Sequence, residues 1–236
     1  MAHPFVFSPF SDGSYLAYLT TGERFYLVQI AGEVIELLGQ DHMVAPDQDD
    51  AAGEQDPTRG APEVRVPDLP QLNRVLAGLS GEPFTDVPTD PAVRRLVPDA
   101  SLDPEVAAEF RKFTDGDIRE AKVTRLVNFA SALMEATPSR DEDEHVEFAV
   151  SRQDAAEVAM ALTDIRLVLG DRLELVNDDS TEELHEFLER TAAVEDLAEE
   201  DERRYLLGML FALSGYLQES LVECLLDDGQ GVPPAL

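Results

Sequence analysis

YLLGMLFALSGYLQESLVECLL, residues Tyr205 to Leu226, decides the fold. The stretch is apolar on nearly every side of a helix, and a helix without a polar face has to be surrounded. Its most apolar part, Tyr205 to Leu217, is shorter than the roughly 18 residues that a bilayer requires, and Arg203-Arg204 precedes it. The reading is therefore the buried central helix of a bundle, running from about Asp196 to Leu226. Gly208, Ala212 and Gly215 fall on one side of it, where another backbone can approach closely. That backbone belongs either to the same bundle or to a second copy in a homodimer.

Working outward, the preceding segments carry helical spacing and helix punctuation. Asp90-Pro91 and Asp103-Pro104 each read as an N-cap followed by proline at the first helical position. Val106, Phe110 and Phe113 form one face of the second of these helices. Thr114 opens a further helix, with Val123, Leu126, Val127, Ala130, Leu133 and Met134 on one stripe. Ser151 caps a helix whose stripe is Ala155, Val158, Leu162, Ile165 and Leu169, ended by Gly170. Ser180 and Glu183 form a capping box ahead of Leu184, Phe187 and Leu188.

The N-terminal part reads differently. Phe5, Phe7 and Phe10 precede a Ser11-Asp12-Gly13-Ser14 turn and a second strand from Tyr15 to Leu19, which makes a small hairpin. Thr20 and Glu23 then frame a helix with Leu27, Ile30, Val34 and Leu38 on one face, closed by Gly39. Residues 40–70 contain five prolines and the run Asp47-Gln48-Asp49-Asp50, the composition of an acidic linker or insertion. Leu69 to Leu79 reads as one short helix, and Val146 to Val150 as a short strand. The fold class is mainly α: a helical bundle with a small N-terminal β hairpin. Residues 1–39 and 71–236 make one domain, interrupted by 40–70.

Charge limits function more than it assigns it. The 236 residues hold 49 Asp and Glu against 18 Lys and Arg, a net charge of −31. Such a chain repels phosphate backbones and anionic lipid, so neither nucleic acid nor a membrane surface is an expected partner. A single cysteine, Cys224, excludes an intrachain disulfide and fits a reducing compartment, and no signal peptide is evident; the expected location is cytoplasmic.

Catalytic signatures are few. There is no Walker loop or dinucleotide fingerprint, and Ser214-Gly215 lacks the context of a nucleophile elbow. Glu182-x-x-His185 and Glu142-x-x-His145 have the spacing of di-iron carboxylate helices, with Glu219 and Glu223 as further carboxylates. In so acidic a chain such pairs arise by chance, so no metal, cofactor or catalytic residue is expected. The enzyme question stays open, leaning towards a protein that is not one.

Residues 91–130 are the exception to the charge: seven acids and seven bases. Arg95, Arg111, Arg119 and Lys122, together with Arg166 and Arg172 on a helix expected nearby, form the candidate binding set. One reading is a pocket for an acidic peptide or small anion, gripped by guanidinium forks. The other is a network of structural salt bridges to Glu105, Glu109, Asp115 and Asp164, which is the more frequent role of helix charges.

Several stretches resemble an actinobacterial domain-of-unknown-function family, numbered twenty-seventeen. They are Arg95-Leu96-Val97-Pro98-Asp99-Ala100, Asp103 to Arg111, Ile118-Arg119 with Lys122, and, most clearly, Asp164-Ile165-Arg166-Leu167-Val168-Leu169-Gly170-Asp171-Arg172-Leu173. The helix Glu23 to Gly39 and the segment Tyr216 to Leu221 are also similar, and residues 40–90 look like an insertion. The resemblance carries over no catalytic residue. It implies gene adjacency to ClpS, the adaptor of the Clp protease, and through it a protein partner among ClpS or the Clp components.

Overall fold

The computed structural model describes residues 2–8, 13–40, 86–135, 144–194 and 196–229. Three strands, β1 (His3–Ser8), β2 (Ser14–Leu19) and β3 (Val146–Val150), form one antiparallel sheet in the order β1-β2-β3. Six helices follow the hairpin among these residues: α1 (Thr21–Gln40), α2 (Pro91–Leu96), α3 (Pro104–Glu135), α4 (Ala155–Arg172), α5 (Asp178–Thr191) and α6 (Glu199–Gly229). The chain is mainly helical with a small sheet, and β3 extends the expected hairpin to three strands. Gly13, at φ 74°, occupies the left-handed conformation that the β1–β2 turn requires. Phe10, Ser11 and Asp12 lie outside the described residues, as do the linker and Leu69 to Leu79.

Local chemistry accounts for most helix starts. The Thr20 hydroxyl accepts from the Glu23 amide at 3.2 Å, and the Glu23 carboxylate accepts from the Thr20 amide at 2.9 Å. The other Glu23 oxygen takes the Ala2 amide at 2.7 Å, tying the chain start to α1. Asp90 caps α2 through the Ala92 amide, and Asp103 caps α3 through the Glu105 amide.

Four boundaries differ from the sequence reading. Thr114 does not start a helix: its hydroxyl donates to the Phe110 carbonyl at 2.9 Å, so α3 runs unbroken through it. The cap of α5 is Asn177, three residues early, with Ser180 as its reciprocal partner. The start of α4 lies at Ala155, after a turn in which the Ser151 hydroxyl accepts from the Asp154 amide. Its end is Arg172, beyond Gly170, because Glu174 takes the left-handed position at φ 58° and the Leu175 amide returns to the Gly170 carbonyl.

The largest correction concerns the centre of the bundle. It is α4, not α6: Ala155, Ala161, Leu162, Ile165 and Leu169 are fully buried, and α1, α2, α3 and α6 all pack on it. The small residues of α4 let its neighbours crowd close. By contrast, α6 is an outer wall. It buries Leu210, Ser214, Leu217 and Leu221 along one side and exposes Leu206, Tyr216, Val222 and Leu226 on the other. By length and composition Glu199–Asp227 could cross a membrane, which the shorter apolar run in the sequence did not indicate. Its inner side is engaged in the fold: the Ser220 hydroxyl accepts the Phe5 amide at 3.0 Å, and the Cys224 thiol donates to the Phe5 carbonyl.

One continuous core runs from Ala2 and Phe5 through α1, α2, α3, β3 and α4 to Leu221. Phe148 sits at its middle, with ring centroids 5.8 Å from Phe5 and 6.3 Å from Phe129. The α3 stripe is rotated from the expected one: Phe129 is buried and Met134 is exposed. Gly208 and Ala212 of α6 face a smaller cluster formed with Leu184 and Leu188 of α5.

Candidate functional site

The six candidate cations do not converge on one place. Two of them lie on the inner side of α3. Arg119 is almost completely buried and donates to the Leu38 carbonyl at 2.7 Å, in the last turn of α1. Arg111 pairs with Asp99. Between them Asp115 is buried, and burial pushes its carboxyl above the usual range while Arg119 and Arg111 oppose the shift.

Lys122 serves the α3–α4 contact. Asp164, buried on α4, receives Lys122 at 2.5 Å and Arg125 at 3.1 Å, one cation on each carboxylate oxygen. Arg125 also reaches Glu157 at 2.9 Å. A carboxylate taken out of water needs such neutralisation, and two cations on one helix supply it to the next.

Arg95 and Arg172 make a reciprocal clamp between α2 and α4. Arg95 of α2 binds Asp171 of α4 at 3.2 Å. Arg172 of α4 binds both oxygens of Asp90, the cap of α2, at 2.6 and 3.1 Å. That fork holds the Asp90 carboxyl below its usual range. Arg172 also lines a 300 Å³ surface cavity with Arg203 and Arg204, where Glu174 and Glu200 offset the positive charge.

Arg166 stands apart. Its guanidinium donates to the Gln218 side-chain carbonyl at 2.7 Å and lies 5.1 Å from the Phe211 ring centroid. Its Nε is buried without a hydrogen-bond partner among the described residues. Gln218 in turn donates to Thr163 at 2.5 Å. Gly215 makes the close approach possible, because a Cβ there would stand 3.4 Å from that Nε. Arg166 and Arg95 both line an open 340 Å³ cavity on the surface between α2, α4, α6 and the start of α5.

Gln218, Phe211 and Thr163 were not singled out from the sequence, although a signal was there. Thr163 and Arg166 are three apart on α4, and Phe211, Gly215 and Gln218 are spaced four and three apart on α6. Both spacings put residues on one helix face.

The metal-like motifs are dispersed. Glu182 and His185 are exposed on α5, Glu219 and Glu223 are exposed on α6, and Glu142 lies outside the described residues. His145 packs edge-on to His3, with centroids 4.9 Å apart. Among the described residues, no three or more His, Cys, Asp or Glu side chains are placed to share an ion.

No curated protein and no solved structure matches this chain. A family model does match, over residues 2–225, which takes in every element from β1 to most of α6, the α2–α4 clamp and the Arg166 cavity. On that match the chain belongs to the family described as domain of unknown function (DUF2017).

Proposed function

We propose that this protein is a non-enzymatic cytoplasmic interaction factor that receives a partner protein on the outer face of α3. One observation supports the reading. Leu102, just ahead of the helix, and Val106, Phe110 and Phe113 within it lie on the side opposite Arg111, Asp115 and Arg119. Phe113 is 73% exposed and Phe110 49%. Two phenyl rings and two aliphatic side chains in water forfeit burial worth about 25 cal/mol per Å², which a docked partner restores.

Charge narrows the partner. Asp103, Glu105, Glu109 and Asp117 flank the stripe, against Lys112. The complementary surface is an amphipathic helix with apolar residues at helical spacing and Lys or Arg beside them. The same carboxylates oppose nucleic acid and anionic membranes. ClpS or a Clp protease component is the partner to test first, on the gene adjacency that the family resemblance implies.

The test uses purified ClpS and Clp components, and a synthetic helical peptide with leucines at i, i+3, i+4 and i+7 and arginine flanks. Binding is measured by titration calorimetry against the parent chain and the Phe110→Ser/Phe113→Ser variant, whose altered side chains lie outside the core. The expected loss is about tenfold or more, as for removal of exposed aromatic anchors. Equal binding by both proteins, or no binding of any probe, refutes the reading. A parent dimer that the variant abolishes assigns the face to a second copy and also overturns it.

A further inference from the structure

We infer that the cavity between α4, α6 and the start of α5 is a binding site for a small organic anion, a single carboxylate carried on an apolar body. The site is distinct from the outer face of α3, so either reading can fail alone.

The argument starts from an imbalance. Acids outnumber bases 49 to 18, so an arginine without a carboxylate has many potential partners that it does not take. Arg95, Arg111, Lys122, Arg125 and Arg172 each have a carboxylate within 3.2 Å. Among the described residues, Arg166 has the neutral oxygen of Gln218 and the face of Phe211 instead, with a buried, unbonded Nε. A half-buried guanidinium left without its counter-charge is unfavourable, and an anion binding beside it removes the penalty.

The surroundings hold Arg166 in readiness. Gln218, fixed by its own bond to Thr163, anchors one nitrogen, and the Phe211 ring supports the guanidinium plane. Gly215 leaves the space that the side chain occupies. Arg95 enters the same cavity from α2, with its Nε held by Asp171. The volume, 340 Å³, falls in the range of small-molecule sites, and Leu167 and Leu175 give it apolar walls.

The remaining lining residues select the class of anion. Asp178 stands on the wall, and the whole chain carries −31, so groups with two or more negative charges are disfavoured. Thr181 and Asn177 offer neutral hydrogen-bonding groups. A monocarboxylate with a few apolar carbons satisfies both the guanidinium groups and the walls; inorganic phosphate satisfies only the first.

The experiment is calorimetric titration and thermal shift of the full chain with acetate, hexanoate, phenylacetate and N-acetyl-leucine at constant ionic strength. Hexanol and inorganic phosphate are the controls. The expected result is saturable binding of at least one of the three carboxylates with an apolar body, about tenfold tighter than either control. Arg166→Met should abolish it, and Arg95→Met should weaken it several-fold. Because Arg166→Met also removes the bond to Gln218 and the contact with Phe211, its melting temperature is recorded beside the parent's to show that it folds. If Arg166→Met does not fold, the exposed Arg95→Met variant carries the test. No saturable carboxylate binding, binding unchanged in the folded variants, or phosphate or hexanol binding as tight as the carboxylates overturns the site.

Discussion

Replacing Asp164 by alanine tests how α3 and α4 are joined. The carboxylate is 3% exposed, and Lys122 and Arg125, at 16% and 13%, contact its two oxygens. Removing it leaves Lys122 without its carboxylate and Arg125 with Glu157 alone. Truncating one member of a buried pair costs about 3–5 kcal/mol, and the residual water access of both cations favours the lower end, about 3 kcal/mol. For a chain of this size that lowers Tm by about 6–12 °C. Urea unfolding followed by circular dichroism gives the free energy directly, and a cycle with Arg125→Met isolates the coupling. Replacing all three residues by Leu, Met and Met should restore most of the loss, because no buried charge then remains and Glu157 is exposed to water. The reasoning is refuted if Asp164→Ala lies within about 0.5 kcal/mol of the parent, the range of an ordinary surface change.

Two further outcomes follow from the same geometry. Gly208→Leu places a side chain where even a Cβ meets Leu184 and Leu188 at 3.0 Å; overpacking should cost about 1–3 kcal/mol, with amide exchange accelerating first in α5. Asp90→Asn retains the cap of α2 but removes the charge that Arg172 grips. Because the folded Asp90 pKa is lowered, its contribution is present above the unfolded value and lost as pH falls through the folded one. The variant should therefore be less stable than the parent at pH 7, by about 1 kcal/mol or less given the exposure of Arg172, and the two should converge in acid. A gap that does not shrink as the pH falls below the unfolded carboxyl value would contradict the assignment.

Helices were legible in the sequence where a side chain competes for a specific backbone amide. Thr20 with Glu23, Asp90 before Pro91 and Asp103 before Pro104 all act as caps. The reading failed where a residue has two local options. Thr114 can cap or bond back to residue 110, and nothing short of the packed helix decides between them. The stretch 205–226 failed for another reason: hydrophobicity says that a helix needs neighbours, not on how many sides it obtains them. The compact α4, with Ala155, Ala159 and Ala161, admits more neighbours than α6 does, and so takes the centre.

The candidate site was legible as a set of residues but not as a place. Arg95 and Arg166 were singled out from the charge map, and they meet in one cavity. Arg111, Arg119, Lys122 and Arg172 came from the same map and are engaged elsewhere. The difference is set by which acids the tertiary packing brings near each cation. Asp99, twelve residues before Arg111, and Asp90, eighty-two before Arg172, are chosen by the fold alone. A guanidinium that no carboxylate among the described residues contacts is visible only after those choices are made.

Phe5 is fastened by its amide and its carbonyl to Ser220 and Cys224, across more than two hundred residues of chain. During synthesis the hairpin leaves the ribosome long before those two side chains exist. Its first strand has to wait, one edge unsatisfied, until α6 has been translated. The first strand is therefore completed only once α6 has emerged, and a nascent chain stalled before residue 220 would present an open strand edge to chaperones and to other nascent copies.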